Sequence, residues 1–391
     1  MTLRIMTIYG TRPEAIKVAP IIKAIETADG MESIAVVTGQ HREMLDQVNT
    51  MFSIVPDYDL NIMSAGQTLN EIVARVITGI DGILEAEAPD AVIVQGDTST
   101  VMGAAVASFN RQIPVIHLEA GLRSGDISSP FPEEANRKLT TQITALHLAP
   151  TATSKDNLVR EAVSENDIVI TGNSVIDTLL FATENLEVTF DDERLEALSA
   201  ARDAGTAGRI MLVTAHRREN LGEAMVQIGQ GIADLATKYP DLTVVFPIHR
   251  NPKVREAIRP AVEGLQNVLL IEPLAYAQFT KALSLADVVL TDSGGVQEEA
   301  PSLGKPVLVM RENTERPEAV VAGTVKLIGT HRQRIVDEVS LLLDSEEAYN
   351  GMANAVNPYG DGRAAERTIE AVRWKFAGGA RPVDFGDDRT V

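Results

Sequence analysis

Short apolar runs rich in β-branched residues recur along the chain, each bounded by Gly, Pro, Asp or Ser. A first series comprises Arg4–Tyr9, Ser33–Thr38, Ala91–Gln95, Val115–Leu118, Leu146–Ala149 and Ile168–Thr171. A second comprises Ile210–Thr214, Thr243–Pro247, Val268–Ile271, Val288–Thr291, Val307–Met310 and Val325–Ile328. Between most of them, apolar residues fall at helical spacing, as in Leu69, Ile72, Val73, Val76, Ile77 and Ile80. Strands apolar on both faces, alternating with amphipathic helices, are the mark of parallel sheets covered on both sides. The pattern predicts an α/β protein: two Rossmann-like doubly wound domains facing each other across a cleft.

The two series part at a charged, Ala-rich stretch over 183–208, which predicts a helix and a connection. The N-terminal domain is expected over 1–182 and the C-terminal domain over 183–359. Asn357-Pro-Tyr-Gly-Asp-Gly362 is a turn cluster. The helix predicted after it, Ala364–Ala377, is expected to cross back, so that 360–378 completes the first domain. Residues 379–391 are expected to form a flexible tail.

Composition narrows the function. A chain of 391 residues with 45% hydrophobic residues holds material for two cores. It has no cysteine, which excludes disulfides, thiolate metal sites and a cysteine nucleophile. The N-terminus lacks the pattern of a signal peptide, and no apolar run has the length of a membrane span, so a soluble cytoplasmic protein is expected. The formal net charge of -20 repels nucleic acid and anionic membranes, and neither is expected as a partner. An anionic substrate would need its positive contacts supplied locally.

In doubly wound sheets, ligands sit beyond the carboxyl ends of the strands. The first strand leads into Gly10-Thr-Arg-Pro-Glu14 and a helix containing Lys17. This is either an ordinary turn with solvated basic residues or an anion seat built from a helix N-terminus, Arg12 and Lys17. In Gly96-Asp-Thr-Ser99, Asp97 is either a helix cap, with Thr98 and Ser99 as alternative caps, or a site acid. Glu119, followed by Gly121, is a poor cap and a good site residue. Ser129-Pro-Phe-Pro-Glu-Glu134 is a Pro-stiffened loop that can hold Glu133 in place, with Asn136 and Arg137 after it. Crowded carboxylates raise at least one pKa toward neutrality.

In the second half, His216 ends a strand beside Arg217 and Arg218, a setting for anion binding or acid–base work. His249 stands at a similar exit. Thr291-Asp-Ser-Gly-Gly295 lets the backbone approach a diphosphate, with Ser293 as donor. Glu299, further into the helix, can accept both ribose hydroxyls, and Arg316 lies downstream near the same mouth. The chain lacks Gly-x-Gly-x-x-Gly after the first strand, a Walker A motif and zinc-ligand spacing.

Taken together, GTRPEAIK, QHREMLDQV, QGDTST, HLEAGLRSGD, PEEANR, TGNSVID, AHRREN, DSGGVQEEAPSLGKPVLVMRENTERPEA and NPYGDG carry a resemblance over residues 3–375. The chain resembles the non-hydrolysing bacterial UDP-N-acetylglucosamine 2-epimerases. The resemblance implies a glycosyltransferase-B-like fold and an isomerase acting on UDP-N-acetylglucosamine and UDP-N-acetylmannosamine without metal or other cofactor. It places Asp97, Glu119, Glu133, Arg137 and His216 in catalysis. It assigns Arg12, Lys17, Leu274, Phe279, Ser293, Gly294, Gly295, Glu299 and Arg316 to nucleotide-sugar binding. Leu274 departs from relatives that carry Gln at this uracil-side position.

The chemistry so implied is elimination and re-addition of UDP through a bound 2-acetamidoglucal. A homodimer is implied as well, and activation by substrate bound near Gln40, His41, Arg42 and Gln47. The product would feed surface polysaccharide synthesis. The rival readings are a UDP-sugar glycosyltransferase of the same fold, a hydrolysing epimerase and a non-catalytic nucleotide-sugar sensor.

Overall fold

All twelve expected strands form, and their ends differ from the expectation by two residues at most. The computed structural model describes residues 2–39, 42–64 and 66–387. Strands β1 (Leu3–Tyr9), β2 (Met31–Val37), β3 (Tyr58–Asp59), β4 (Ala91–Gln95), β5 (Val115–Leu118), β6 (Leu146–Ala149) and β7 (Ile168–Ile170) make one sheet. Strands β8 (Arg209–Thr214), β9 (Leu242–Pro247), β10 (Val268–Ile271), β11 (Val288–Thr291), β12 (Val307–Val309) and β13 (Val325–Leu327) make a second. Every pairing between them is parallel. The one unexpected strand, β3, is two residues long and pairs at the sheet edge, Val36 opposite Tyr58.

The sheet orders are β3-β2-β1-β4-β5-β6-β7 and β10-β9-β8-β11-β12-β13. Both are doubly wound: the chain builds outward from β1 or β8, then returns to its other side with β4 or β11. The gaps β1/β4 and β8/β11 are therefore the switch points, where crossover helices leave to opposite faces and open a crevice.

Burial on both faces explains the sequence pattern. All five residues of β4 are buried. The helix Leu69–Glu87 starts at a capping box, Thr68 with Glu71, and buries Ile72, Val76, Ile80 and Leu84 four residues apart. It packs on the helix Ser99–Asn110, where a Cβ on Gly103 would lie 3.0 Å from Val76 Cγ1.

The chain divides into two compact units, Met1–Thr178 with Tyr359–Val391, and Leu179–Pro358. The first boundary lies inside the helix Val175–Asn185. The helix Ala364–Ala377 belongs to unit one, packs against the helix Arg12–Thr27, and receives its N-terminal support from Asp177, whose Oδ1 accepts the Ala365 N–H at 2.8 Å. The expectation of a flexible tail is corrected over 379–387. Asp384 is buried and accepts the Ile170 N–H at 2.9 Å, Phe385 N–H donates to the Ile170 carbonyl at 2.7 Å, and Arg381 reaches the Ile168 carbonyl at 3.0 Å. An edge strand leaves a row of backbone groups unpaired, and this segment covers them along β7. No helix among the described residues is long and apolar enough to cross a membrane.

Candidate active site

In unit one, two of the expected acids, Asp97 and Glu119, follow β4 and β5, on one side of the β1/β4 switch point. Thr98, not Asp97, caps the helix Ser99–Asn110. Asp97 is thereby released to face Arg137, whose Nε and Nη2 donate to its Oδ2 at 2.9 and 2.6 Å. Asn136 donates to the Asp97 carbonyl at 2.8 Å, so the helix Glu133–Gln142 grips Asp97 through both backbone and side chain. Burial works against the Arg137 charge, but Asp97 and Glu134 together outweigh it and hold its pKa up.

Glu119 follows β5 directly and lies in the left-handed region, at φ 65°. Few residues other than glycine are held there, and such strain concentrates at functional positions. Lys17 Nζ meets Glu119 Oε1 at 2.5 Å, and Gln95 Nε2 donates to Oε2. A carboxylate anchored at both oxygens has one orientation. Glu133 opens its helix and is half-buried, and Arg12, the first residue of its own helix, is half-buried as well. Both X–Pro bonds of the loop before Glu133 are cis.

Two buried acids beside these strand exits escaped the sequence reading. Glu14 is 2% exposed and accepts the N–H groups of Gly10 and Thr11, each at 2.7 Å, and the Thr98 hydroxyl at 2.5 Å. It ties the exit of β1 to that of β4, and its pKa is pushed up by burial against the pull of those donors. The Thr-x-x-Glu capping box was the available signal. Glu134 is fully buried and accepts from Arg137 Nη1 at 3.0 Å and from Ser124 N–H at 3.1 Å. It holds the guanidinium that holds Asp97.

In unit two, the exits of β8 and β11 lie at the second switch point. His216 follows β8, and its ring stacks on that of His249 at 5.8 Å and 24°. Ser293 precedes the short helix Gly294–Glu299 and makes no side-chain cap bond. A Cβ on Gly294 would lie 2.6 Å from Arg316 Nη1, and one on Gly295 would lie 3.7 Å from Glu299 Oε1. The glycine turn thus runs between a guanidinium and a buried carboxylate, with no side chain of its own between them. Arg316 is fixed by Glu298 at 2.6 Å. Leu274 lies in the connection after β10, and Phe279 in the helix Tyr276–Leu285; both are half-buried. Asp292, fully buried at the β11 exit, also went unread.

Gln40 and His41, with the side chain of Arg42, lie outside the described residues; Gln47 is exposed on the helix Arg42–Met51. Among the described residues, no group of three His, Asp or Glu is placed to hold a metal ion.

A family model described as UDP-N-acetylglucosamine 2-epimerase matches residues 23–373. The chain belongs to the UDP-N-acetylglucosamine 2-epimerase family. The UDP-N-acetylglucosamine 2-epimerase of Escherichia coli K12 is 50% identical over 371 residues, which cover 95% of this chain and 98% of that protein. A solved UDP-GlcNAc 2-epimerase of Neisseria meningitidis bound to UDP-GlcNAc is 46% identical, with a TM-score of 0.82, covering 95% of this chain and 99% of that one. S. aureus MnaA, solved with UDP, is 44% identical, with a TM-score of 0.84, covering 98% and 100%. For a 2-epimerase of this family, the paired acids and cations of unit one and the glycine turn of unit two are the two sets of groups to account for.

Proposed function

We propose that this chain interconverts UDP-N-acetylglucosamine and UDP-N-acetylmannosamine in the cytoplasm, feeding surface polysaccharide synthesis. The observation that carries the reading is the anchoring of two carboxylates at adjacent strand exits, Asp97 on Arg137 and Glu119 on Lys17 with Gln95. The relatives solved with UDP-GlcNAc and with UDP supply the ligand. The turn Ser293–Gly295, Arg316 and Glu299 bind the diphosphate and ribose. Leu274 and Phe279 flank the uracil. Arg12 and Lys17 add positive charge to offset the net charge of -20.

The hydrogen on C2 of the sugar has no adjacent carbonyl to acidify it. Breaking the C1–O bond first builds positive charge at C1, which makes C2–H acidic. One carboxylate of the Asp97, Glu119 and Glu133 set takes that proton as UDP leaves with the C1–O electron pair. Enzyme-bound 2-acetamidoglucal results. A second acid then protonates C2 from the opposite face while UDP adds back to C1, which gives the inverted sugar. Fixed cations stabilise the departing diphosphate, and exclusion of water protects the glucal. No group beyond side chains is called for.

The test is turnover of UDP-N-acetylglucosamine in deuterium oxide, followed by NMR. Deuterium entering C2 of the product, with no free sugar released, is the expected result. Retention of C2–H would favour a glycosyltransferase, and free N-acetylmannosamine a hydrolysing enzyme.

The same reading extends to a homodimer activated by its substrate near Gln40, His41, Arg42 and Gln47. Light scattering at twice the chain mass, and a reverse reaction that starts only after a trace of UDP-N-acetylglucosamine is added, are the expected results. A monomer, or immediate reverse turnover, would remove each in turn.

A further inference from the structure

Asp292 has a feature that the other buried acids lack: it binds both the backbone and the ring of a candidate acid–base residue. The peptide N–H of Asp292 continues the β8/β11 ladder by donating to the Thr214 carbonyl at 3.1 Å. Its side chain, fully buried, then reaches across the switch point. It accepts the His216 N–H at 2.9 and 3.1 Å, the Arg217 N–H at 2.9 Å and Asn220 Nδ2 at 3.1 Å. One contact remains, and it is chemical in kind: His216 Nδ1 lies 3.2 Å from Asp292 Oδ1. An imidazole with a carboxylate on Nδ1 carries its neutral-state proton there, and Nε2 is left as the nitrogen that can accept or return a proton. The next three residues are the turn Ser293–Gly295. One peptide therefore leads from the anchor of the ring to the turn assigned to the diphosphate.

We propose that Asp292 is a positioning residue for the reaction: it holds the His216 ring with Nδ1–H on its own carboxylate, so that Nε2 exchanges a proton with the departing and returning diphosphate. This rests on the proposed function and adds a residue to it. The balance is simple. The imidazolium form reacts: its Nε2–H gives the proton to a diphosphate oxygen as the C1–O bond breaks, which leaves the neutral ring with Nδ1–H on Asp292, and Nε2 takes the proton back when UDP re-adds.

The groups facing His216 are Asp292 from the β11 exit, His249 from the β9 exit and Arg217 beside it. Burial lowers the His216 pKa, His249 and Arg217 lower it further, and Asp292 alone among these raises it. Loss of the Asp292 charge must therefore move the imidazole limb of the pH–rate profile to lower pH.

The test uses the full chain, as wild type, Asp292→Asn, His216→Gln and the double variant, with 15N-labelled histidine. In the wild type at pH 8, the His216 resonances are expected to show Nδ1 protonated and Nε2 bare. The opposite tautomer overturns the proposal without reference to any variant. Asp292→Asn is expected to lower kcat about 100-fold, shift that limb to lower pH and leave KM within about threefold. In the His216→Gln background the same change is expected to cost less than about threefold, because the two act as one unit. Equal losses in both backgrounds would reduce Asp292 to a staple for the β8 exit. Absence of C2 deuteration by the wild type would sink the proposed function instead, a separate readout.

Discussion

Glu119→Gln is expected to lower kcat about a thousandfold while UDP binds as before. The two side chains are nearly isosteric, and glutamine still offers an oxygen to Lys17 and tolerates φ 65° no worse than glutamate. What disappears is the charge, and with it both the ability to take a proton from C2 and the ion pair that orients the group. The glycine turn, Arg316 and Glu299 belong to the other unit, so calorimetric titration with UDP is expected to give an unchanged Kd. The rate is read by NMR of the two sugars, and a circular-dichroism spectrum checks that the unit is folded. Turnover within tenfold of wild type would remove Glu119 from the acid–base set and leave Asp97 and Glu133 to share it.

Each unit sets a buried carboxylate across its own switch point, and this is where the sequence was hardest to read. Glu14 sits on the helix after β1 and reaches Thr98 at the β4 exit. Asp292 sits at the β11 exit and reaches back to the two N–H groups after β8. The direction is reversed and the effect is shared, since both hold open strand ends that carry candidate chemistry. A buried carboxylate is retained only where enough donors converge on it. The capping box announces the local donors of Glu14, but Thr98 lies 84 residues from it and the His216 N–H lies 76 residues from Asp292, so no local pattern could announce the ties across the switch points.

The strands were legible for the opposite reason. Val92, Ile93 and Val94 are buried on both faces, and continuous apolar runs record that in one dimension. Strand β3 was not legible, because two edge residues are held by backbone pairing with Val36 and Val37. Nor was the first unit boundary, which passes through an unbroken helix with no Gly or Pro to mark it. The held segment 379–387 was missed because its anchors are the backbone of β7 and one buried acid. At Asp97, the local sequence taken alone favoured a helix cap over a site acid. The structure gives the cap to Thr98, a hydroxyl that accepts the Val101 N–H at 3.4 Å, and so frees the carboxylate.

Unit one is expected to lose stability as pH falls from neutrality, through two histidines that play no part in the chemistry. His117 on β5 and His147 on β6 are register partners, and each is 1% exposed. His117 Nε2 lies 2.7 Å from the Gly96 carbonyl, next to Asp97. Burial lowers their pKa values to about 4 for His117 and about 3 for His147, from an ordinary 6.5. Above pH 6.5 both are neutral folded or unfolded, and pH has no leverage. Below it the unfolded chain takes up protons that the folded unit refuses. Stability then falls with pH until the folded values are reached, by roughly 3 kcal/mol for each histidine at pH 4. His147→Leu removes one titrating group. The drop in unfolding free energy between pH 7 and pH 5, read from urea titrations, is expected to shrink by roughly 2 kcal/mol relative to wild type. An undiminished drop would mean that the imidazole is already charged within the fold. The functional consequence follows from position: Asp97, Glu119 and Glu133 stand on this same sheet and its loops, so activity and the unit-one circular-dichroism signal are expected to disappear together in acid.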